Sequence, residues 1–436
     1  MSNRNVPSRS LPPHVRRRLA ALLRRRPIRR LRSLASRLDI PVWIVGGALR
    51  DTLDGREPLE IDVAAVRCEP LARAMEASGA GRVVLLSEAS PRVYRIAART
   101  EIDCADVEGE SIRADLARRD FTINAMAWNL RDGSWLDPYG GAKDLSRRRL
   151  RLLSQSNLRD DPLRALRAAR FIASHRLVAD RNVRQAARAV GPLLAGVAPE
   201  RVRVELVKLL AAPRVAEALG MALSAGLLAP ALGMPVRGRI GMEAIRRLDR
   251  ARIRRATPPD RLRLRLALIA GRLRLSPGEA ARWLSARRFS REEAGEVALL
   301  LELADRARRI ATPREEWGWV RDSGPRRALA LTFLALSEPR RRSPYRRLAR
   351  LRPAGKNVRV TGSDILSWLG IAPGPRVGAL LREVEIEAMK GAVRSRPAAR
   401  RWLIENSGLA REDAEFEDRP RNTASSPAEH GSNRNI

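Results

Sequence analysis

The chain has 436 residues, with 85 Lys and Arg, 49 Asp and Glu and three His, so its formal net charge is +36. This length predicts two to four domains, and a hydrophobic content of 44% excludes a chain that is disordered throughout. The charge favours a polyanionic partner, although 81 of the basic residues are Arg, a bias that GC-rich codons would also produce.

The first 37 residues form a basic arm without any acidic side chain. Within it the stretch 14–37, rich in Arg, Leu and Ala, predicts one helix. The arm has the composition of an organellar transit peptide but lacks the apolar segment of a secretory signal. The only cysteines, Cys68 and Cys104, form no CxxC pair, so no zinc site is expected, and low cysteine use favours a cytoplasmic location.

A mixed α/β segment follows the arm. Strands are predicted at 42–45, 60–65, 83–86, 93–97, 101–105 and 125–130, with a helix at 70–77. Strands are expected to end near Trp135, and from Asp160 the pattern is almost wholly helical. The uncharged run 218–236 approaches transmembrane length, but its Pro and Gly residues favour buried helices with a turn, so no membrane span is expected.

The segment after the first strand is suited to binding a phosphate. Gly46 and Gly47 would let the backbone approach a phosphate closely. A helix starting at Ala48 would point its free N–H groups at that phosphate, and Arg50 would add a charged contact.

Three acidic residues on predicted strands are candidates for a metal site. Glu60 and Asp62 are one residue apart, so on a strand their side chains project from the same face. Two carboxylates suit Mg²⁺, which keeps its other positions for phosphate and water. Asp103 is the candidate third carboxylate, and three carboxylates can hold two metal ions. A Gly-Gly pair alone is usually part of a turn, and two acidic residues one residue apart on a strand usually lie on a solvated face. The two features together, in this order, are more specific for a catalytic site.

Six blocks occur in an order that a known family shares. Val45–Asp51 resembles a GGxxRD motif, Glu60–Asp62 falls on a metal-binding DxD, and further blocks lie at 115–125, 160–164, 200–206 and 361–375. In these blocks the chain resembles the class II tRNA nucleotidyltransferase and bacterial poly(A) polymerase family. The resemblance implies an α+β fold, with a polymerase-β-like nucleotidyltransferase head containing a mixed sheet, followed by an all-α neck, body and tail.

The resemblance also implies a division of the chain. The expected parts are a basic arm and helix at 1–37, the catalytic head at 38–150, a base-recognising neck at 151–212, a tRNA-binding body and tail at 213–405 and a disordered tail at 406–436.

Roles for individual residues follow from the same resemblance. Glu60, Asp62 and Asp103 would be the catalytic metal ligands. Contacts to the triphosphate and ribose of CTP or ATP would come from Gly46, Gly47, Arg50, Arg119, Asp120 and Asn124.

The block 160–164 would select the base. Asp161 and Arg164, three residues apart on one helix face, would meet the Watson–Crick edge without a nucleic-acid template. Arg167 and Arg170 continue this spacing and match further family arginines. Because each three-residue step drifts about 60° around a helix, Arg170 is expected to face away from Asp161, and a solvated arginine face is the alternative for both.

The implied activity is Mg²⁺-dependent transfer of CMP and AMP to the 3′ end of tRNA, with the tRNA elbow on the helical tail. Two departures bear on it. Glu60 stands where the family has Asp, which predicts slower transfer, and the segment 104–114 is shorter than the corresponding loop of full CCA-adding members. The alternatives are an enzyme that adds only CC, a poly(A) polymerase, and a catalytically weak RNA-binding protein.

Overall fold

The computed structural model describes residues 11, 13–89, 91–97, 100–236, 240–251, 257–351 and 358–408. Most of the predicted disordered tail, and the first ten residues of the basic arm, lie outside these ranges. The chain divides into two compact units, 1–305 with 329–342, and 306–328 with the chain from 343 onward. The predicted domain boundaries at residues 150 and 212 stay predictions.

A seven-stranded sheet lies in the first unit. Its strands are β1 Val42–Val45, β2 Glu60–Ala65, β3 Arg82–Ser87, β4 Val93–Ala97, β5 Glu101–Asp106, β6 Ala127–Asn129 and β7 Trp135–Leu136. The spatial order is β3-β4-β5-β2-β1-β6-β7, in which β2 and β5 are parallel and the other neighbours antiparallel. The predicted mixed sheet is confirmed, and all six predicted strands are present. Strands do not end near Trp135, however, because β8 Arg149–Leu150 and β9 Val178–Ala179 form a short parallel pair.

Six helices accompany this sheet: α1 Pro13–Leu23, α2 Arg26–Arg37, α3 Gly46–Leu53, α4 Cys68–Ala77, α5 Ile112–Ala117 and α6 Gly141–Ser146. The single helix predicted over 14–37 is therefore two helices. Pro27 lies in the first turn of α2. A proline fits there because the first helical N–H groups have no partner, whereas inside a continuous helix it would remove a hydrogen bond and clash with the preceding turn.

The two faces of β2 have different surroundings because side chains alternate along a strand. Ile61 and Val63 lie in the main hydrophobic core, which also includes residues from α1, α2 and α4. Ala64 belongs to a smaller cluster of buried residues on the other face. Glu60 and Asp62 share the face of Ala64, so the fold directs both carboxylates away from the main core.

Cys68 at the start of α4 and Cys104 on β5 are joined by a disulfide, with their Cα atoms 5.9 Å apart and both side chains buried. Their separation by 36 residues contains no signal for this pairing. The pair connects α4 to a strand next to β2, inside the main core.

The remaining helices follow in chain order: α7 Gln155–Asp160, α8 Leu163–His175, α9 Arg181–Val190, α10 Pro199–Ala211, α11 Ala216–Ser224, α12 Leu228–Leu232, α13 Met242–Arg250, α14 Pro258–Arg272, α15 Pro277–Ala286, α16 Arg291–Arg309, α17 Pro313–Ser323, α18 Arg327–Ser337, α19 Arg342–Arg350, α20 Gly362–Leu369, α21 Pro375–Lys390 and α22 Arg396–Asn406. The uncharged run 218–236 contributes to α11 and to α12, as predicted. Across the described ranges, no helix is both long and apolar enough for a bilayer crossing.

The second unit has a hydrophobic core of its own. Ile365 of α20, Leu380 and Val384 of α21 and Leu403 of α22 are buried together.

Four helices begin with a capping box: α14 and α15 in the first unit, and α17 and α20 in the second. In a capping box, a Ser or Thr side chain accepts from the backbone N–H three residues later, and the acidic side chain of that later residue accepts from the backbone N–H of the Ser or Thr.

Candidate active site

A cavity of about 660 Å³ lies where β1 ends and β2 begins. It is lined by twelve of the thirteen predicted site residues, namely Gly46, Gly47, Arg50, Glu60, Asp62, Arg119, Asp120, Asn124, Asp161, Arg164, Arg167 and Arg170. Five further lining residues were not predicted from the sequence, namely Asp51, Arg56, Glu57, Leu59 and Lys208. All of them belong to the first compact unit. Seven cationic side chains and six carboxylates therefore face one cavity, which can bind both phosphate and a cation.

The glycine turn contacts the carboxylate of Asp62 directly. The Gly47 backbone N–H donates to Asp62 Oδ2 over 3.0 Å. Gly46 has a φ of +62°, a left-handed conformation that favours glycine. A Cβ at Gly46 would lie 2.8 Å from Arg119 Nη1 and 3.1 Å from Asp62 Oδ2. The turn therefore leaves no room for a side chain at Gly46. The helix begins at Gly46 and not at Ala48, where the sequence predicted its start.

Glu60 and Asp62 face the cavity together, as their spacing on β2 predicts. Asp103 pairs in register with Asp62 across β2 and β5. It nevertheless lies outside the cavity lining. Arg95 donates to both of its carboxylate oxygens over 2.8 and 2.7 Å.

Glu60, Asp62 and Asp103 are the carboxylates that the sequence predicts as metal ligands. Among the described residues no cluster of three His, Cys, Asp or Glu side chains is arranged to hold a metal ion. Glu60 and Asp62 still fit one Mg²⁺, because this ion commonly binds one or two carboxylates and keeps its other positions for phosphate and water. The role of Asp103 as a third ligand stays a prediction.

Arg50 and Arg119 are both held in place by neighbouring side chains. Arg50 Nη1 donates to Asn124 Oδ1 over 2.7 Å, and its Nη2 forms an ion pair of 2.9 Å with Asp51. The Arg50 guanidinium also lies 4.7 Å from the centre of the Phe171 ring. Arg119 forms an ion pair of 2.9 Å with Asp115 one helical turn before it. Both cations are therefore fixed where a phosphate would enter.

Asp120 is a buried carboxylate with three hydrogen-bond donors. Its Oδ1 accepts from Asn124 Nδ2 and from the Phe121 backbone N–H, and its Oδ2 accepts from Arg167 Nε over 2.9 Å. Burial tends to raise its pKa, but the charge of Arg167 and these hydrogen bonds outweigh burial and hold the pKa of Asp120 below its ordinary value. Asp120 is thus ionised at neutral pH and links the head to α8.

Asp161 is not on the helix that carries Arg164. It lies between α7 and α8 in an extended conformation, φ −139° and ψ 94°, because the following residue is Pro162, which disfavours the helical region. Asp161 Oδ2 accepts from Arg201 Nη2 of α10 over 3.0 Å. Arg164 Nη1 donates to the carbonyl oxygens of Arg118 and Asn157. The two predicted base readers therefore share the cavity without sharing a helix face.

Arg170 does not face away from Asp161, contrary to the prediction from helical spacing. It lines the same cavity as Arg167, and its side chain is 14% exposed. Its Nε lies 2.6 Å from Glu205 Oε2 on α10, and the other Glu205 oxygen is 3.7 Å from Arg167 Nη1. The Arg170 guanidinium lies 4.2 Å from the Phe171 ring centre. A solvated arginine face is thus excluded for Arg170.

Three residues that the sequence analysis gave no role hold the site arginines. Phe171 provides an aromatic surface for Arg50, Arg167 and Arg170, Glu205 pairs with two of these, and Asp115 pairs with Arg119. Asp115 and Glu205 both lie in blocks that the chain shares with the family, at 115–125 and 200–206, so the sequence indicated that both residues matter. It did not indicate which arginines they pair with.

A glycine turn after one inner strand of a mixed sheet, facing two carboxylates on the neighbouring strand, is the arrangement of a polymerase-β-like nucleotidyltransferase. Comparisons with known proteins agree. Residues 42–151 match the family model described as the poly(A) polymerase head domain, and 179–235 match that described as a probable RNA and SrmB-binding site of polymerase A.

Full-length relatives and a solved structure extend this match. The chain is 31% identical to a CC-adding tRNA nucleotidyltransferase of Geobacter sulfurreducens, over 85% of this chain and 93% of the relative. It is 33% identical to an A-adding tRNA nucleotidyltransferase of Deinococcus radiodurans, over 84% of this chain and 96% of that relative. A Thermotoga maritima CCA-adding enzyme solved with tRNA shares the fold with a TM-score of 0.69 at 20% identity, over 90% of this chain and 98% of that one. The chain belongs to the tRNA nucleotidyltransferase and poly(A) polymerase family and is a nucleotidyltransferase.

Proposed function

We propose that the chain transfers nucleoside monophosphates from CTP and ATP to the 3′ end of tRNA and so builds or repairs all or part of the CCA end. The observation that carries this proposal is the convergence of twelve predicted nucleotide and metal residues on one cavity. The relatives named above act on tRNA, which favours tRNA addition over poly(A) synthesis. Such a role is consistent with the cytoplasmic location that the sequence favours.

The triphosphate would lie along the glycine turn. Gly46 allows the backbone to approach it, and Arg50 and Arg119 neutralise its charge from positions that Asn124 and Asp115 already fix. Fixed donors need no reorganisation when negative charge develops on the phosphate, which is the main source of catalysis in such sites.

Glu60 and Asp62 would hold Mg²⁺, which when bound neutralises phosphate charge and makes the terminal 3′-hydroxyl more acidic. That hydroxyl gives its proton to solvent water and its oxygen bonds to the α-phosphorus, while the bond from the α-phosphorus to the bridging oxygen breaks and pyrophosphate leaves. The residues of this chain position the two reactants, an effect worth several kcal/mol of the barrier when the geometry is good.

Base selection would depend on Asp161 and Arg164. A carboxylate accepts hydrogen bonds and a guanidinium donates them, so together they can match the Watson–Crick edge of a base. Arg201 and two backbone carbonyls hold these side chains in the free protein. Base selection by such a pair would need no nucleic-acid template.

A second candidate is addition of CC alone. The connection between β5 and α5 comprises only residues 107–111. It is held by the Ser111 side chain, which accepts from the Ala114 backbone N–H, and by an ion pair between Glu108 and Arg118. A short, anchored connection leaves little room for the movement that a change from C to A would need.

Product analysis on three tRNA transcripts distinguishes these functions. The transcripts end before the CCA sequence, after the first C and after the second C, and each receives CTP, ATP or both. Full addition yields CCA on all three, whereas a CC-adding enzyme stops after the second C. A long adenosine tract on any of them would overturn the proposal in favour of a poly(A) polymerase.

A further inference from the structure

The outer faces of α1 and α2 form a cationic surface away from the cavity lining. The nine exposed arginines of α1, of α2 and of the connection between them are together called the α1–α2 arginine surface: Arg16, Arg17, Arg18, Arg24, Arg26, Arg29, Arg30, Arg32 and Arg37. The sequence has no acidic residue before Asp39, so neither helix supplies a counter-charge. Each helix is about 17 Å long, so the surface extends further than a single nucleotide.

This surface is mounted rigidly on the head. Leu19 of α1 and Ile28, Leu31 and Leu34 of α2 are buried in the main hydrophobic core. The arginines are exposed while these apolar side chains are buried, because apolar and basic residues alternate with the helical period along both helices. The positive charges therefore cannot move apart by displacement of the helices.

These arginines lack acidic partners in the part of the chain that the structure describes, whereas other arginines of the head have them. Arg30 and Arg32 donate to the backbone carbonyl oxygens of Ser78 and Arg131. By contrast, Arg73 and Arg92 both pair with Glu69. Nine unbalanced positive charges repel one another, and a polyanion would relieve this repulsion.

One edge of the surface reaches the rim of the cavity. Arg25, between the two helices, donates to Glu57 Oε1 over 2.6 Å and to the Pro58 carbonyl oxygen over 3.1 Å. Arg18 lies so close to Gly55 that a Cβ there would be 2.7 Å from its guanidinium. Glu57 lines the cavity. A chain of phosphates that leaves the cavity at this rim would thus meet the arginines next.

We propose that the phosphodiester backbone of the RNA substrate runs from the cavity rim onto the α1–α2 arginine surface. The head then binds RNA outside the reaction centre, in addition to any contact from the later helices. This inference rests on the proposed function for the identity of the RNA as tRNA. The occupant is a polynucleotide, because the surface is longer than a nucleoside triphosphate and its charged groups are all arginines, which pair readily with successive phosphates.

The test is tRNA binding by the variant R26Q/R29Q/R37Q, measured without nucleotide across a salt titration. These three exposed side chains lie on α2 and contact neither the cavity rim nor the core. The control R73Q/R82Q/R92Q removes three exposed arginines from another part of the same head. Glutamine is a good helix former, and thermal unfolding confirms that both variants are folded.

The expected result is a loss of tRNA affinity of about tenfold or more at physiological salt, with the slope of log K against log salt less steep by about two. The control variant retains wild-type affinity and slope, and the KM for CTP is unchanged in both variants. Equal affinity and slope for R26Q/R29Q/R37Q and wild type would overturn the inference, as would an equal loss in the control. If the wild-type protein binds tRNA through this surface but transfers no nucleotide, the proposed function fails and this inference stands.

Discussion

The backbone N–H of Gly47 donates to the carboxylate of Asp62 over 3.0 Å, so the start of α3 and the strand β2 meet in the cavity lining. The neighbouring Gly46 has a φ of +62°, and a Cβ there would lie 2.8 Å from Arg119 Nη1, so the glycine turn, β2 and Arg119 depend on one another.

Gly46→Ala tests this dependence. The left-handed backbone costs an alanine about 1 kcal/mol, and its Cβ would displace Arg119. We expect the KM for CTP to rise at least tenfold. Gly79→Ala is the matched control, because Gly79 has a φ of +69° and open space where its Cβ would lie. It should lose similar stability and keep the KM. Equal KM values for the two variants would show that the contact with Arg119 is unimportant.

Glu60→Asp tests the departure from the family motif. Glu60 is longer than Asp by one methylene, roughly 1.5 Å, and Mg²⁺ demands near-ideal coordination. We expect the shorter side chain to preserve or increase the initial rate of transfer and to lower the Mg²⁺ concentration that gives half of that rate. The measurement is a Mg²⁺ titration of both proteins. A lower rate at every Mg²⁺ concentration would show that the site has adapted to Glu60.

Glu205→Gln tests how Arg167 and Arg170, two of the three cavity arginines on α8, are held. The substitution keeps the size of the side chain and removes the charge that pairs with Arg170 and Arg167. We expect the KM for CTP to rise about tenfold and the free energy of unfolding to fall by about 1–3 kcal/mol. Glu243→Gln is the control, since Glu243 is exposed and pairs with arginines only at the surface, where such pairs contribute little. A change in Glu243→Gln as large as in Glu205→Gln would contradict this account.

Six of the strands and most of the site could be predicted from the sequence because their signals are local. Short, mainly apolar runs bounded by turn residues mark these strands, and the spacing of Glu60 and Asp62 places both carboxylates on one face. The strands β7, β8 and β9, of two residues each, are too short to give such a signal. Pro27 and Pro162 were also local signals, and they correct two predictions: the first divides the helix over 14–37, and the second puts Asp161 in an extended segment before α8.

The partners of the arginines could not be predicted, since they depend on distant parts of the chain. Arg170 meets Glu205 only because α8 and α10 lie side by side, and helical spacing alone turns Arg170 away from Asp161. In the same way Arg95 holds Asp103 across two neighbouring strands, and nothing local to Asp103 indicates it. The pair Cys68–Cys104 likewise required the fold.

His175 predicts a pH dependence of stability. Its Nδ1 lies 2.9 Å from Asp54 Oδ2 and its Nε2 3.5 Å from Asp51 Oδ1. Burial, and then the charge of Arg50, lower the pKa of His175 from 6.5 to about 4, although Asp54 and Asp51 oppose the shift. Between these values the unfolded chain binds the proton and the folded protein does not, so stability falls as pH decreases from about 6.5 towards 4.

This loss should amount to about 2–3 kcal/mol in the wild-type protein and be absent in His175→Gln. The carboxyl pKa of Asp54 is itself lowered, so its own contribution is lost only at lower pH. Urea unfolding of both proteins at pH 4.5, 5.5 and 7 measures the difference. Parallel pH profiles for the two proteins would assign the effect to other groups.

Transfer of label from α-³²P-CTP to a tRNA that lacks its CCA end tests directly whether this cavity performs the reaction. The account predicts label at the 3′ end of the tRNA with the wild-type protein, none with Asp62→Asn, and none when periodate has destroyed the terminal ribose diol. Asparagine can still accept the Gly47 hydrogen bond, so Asp62→Asn should remain folded. An unlabelled tRNA with the wild-type protein, or wild-type labelling by Asp62→Asn, would contradict it.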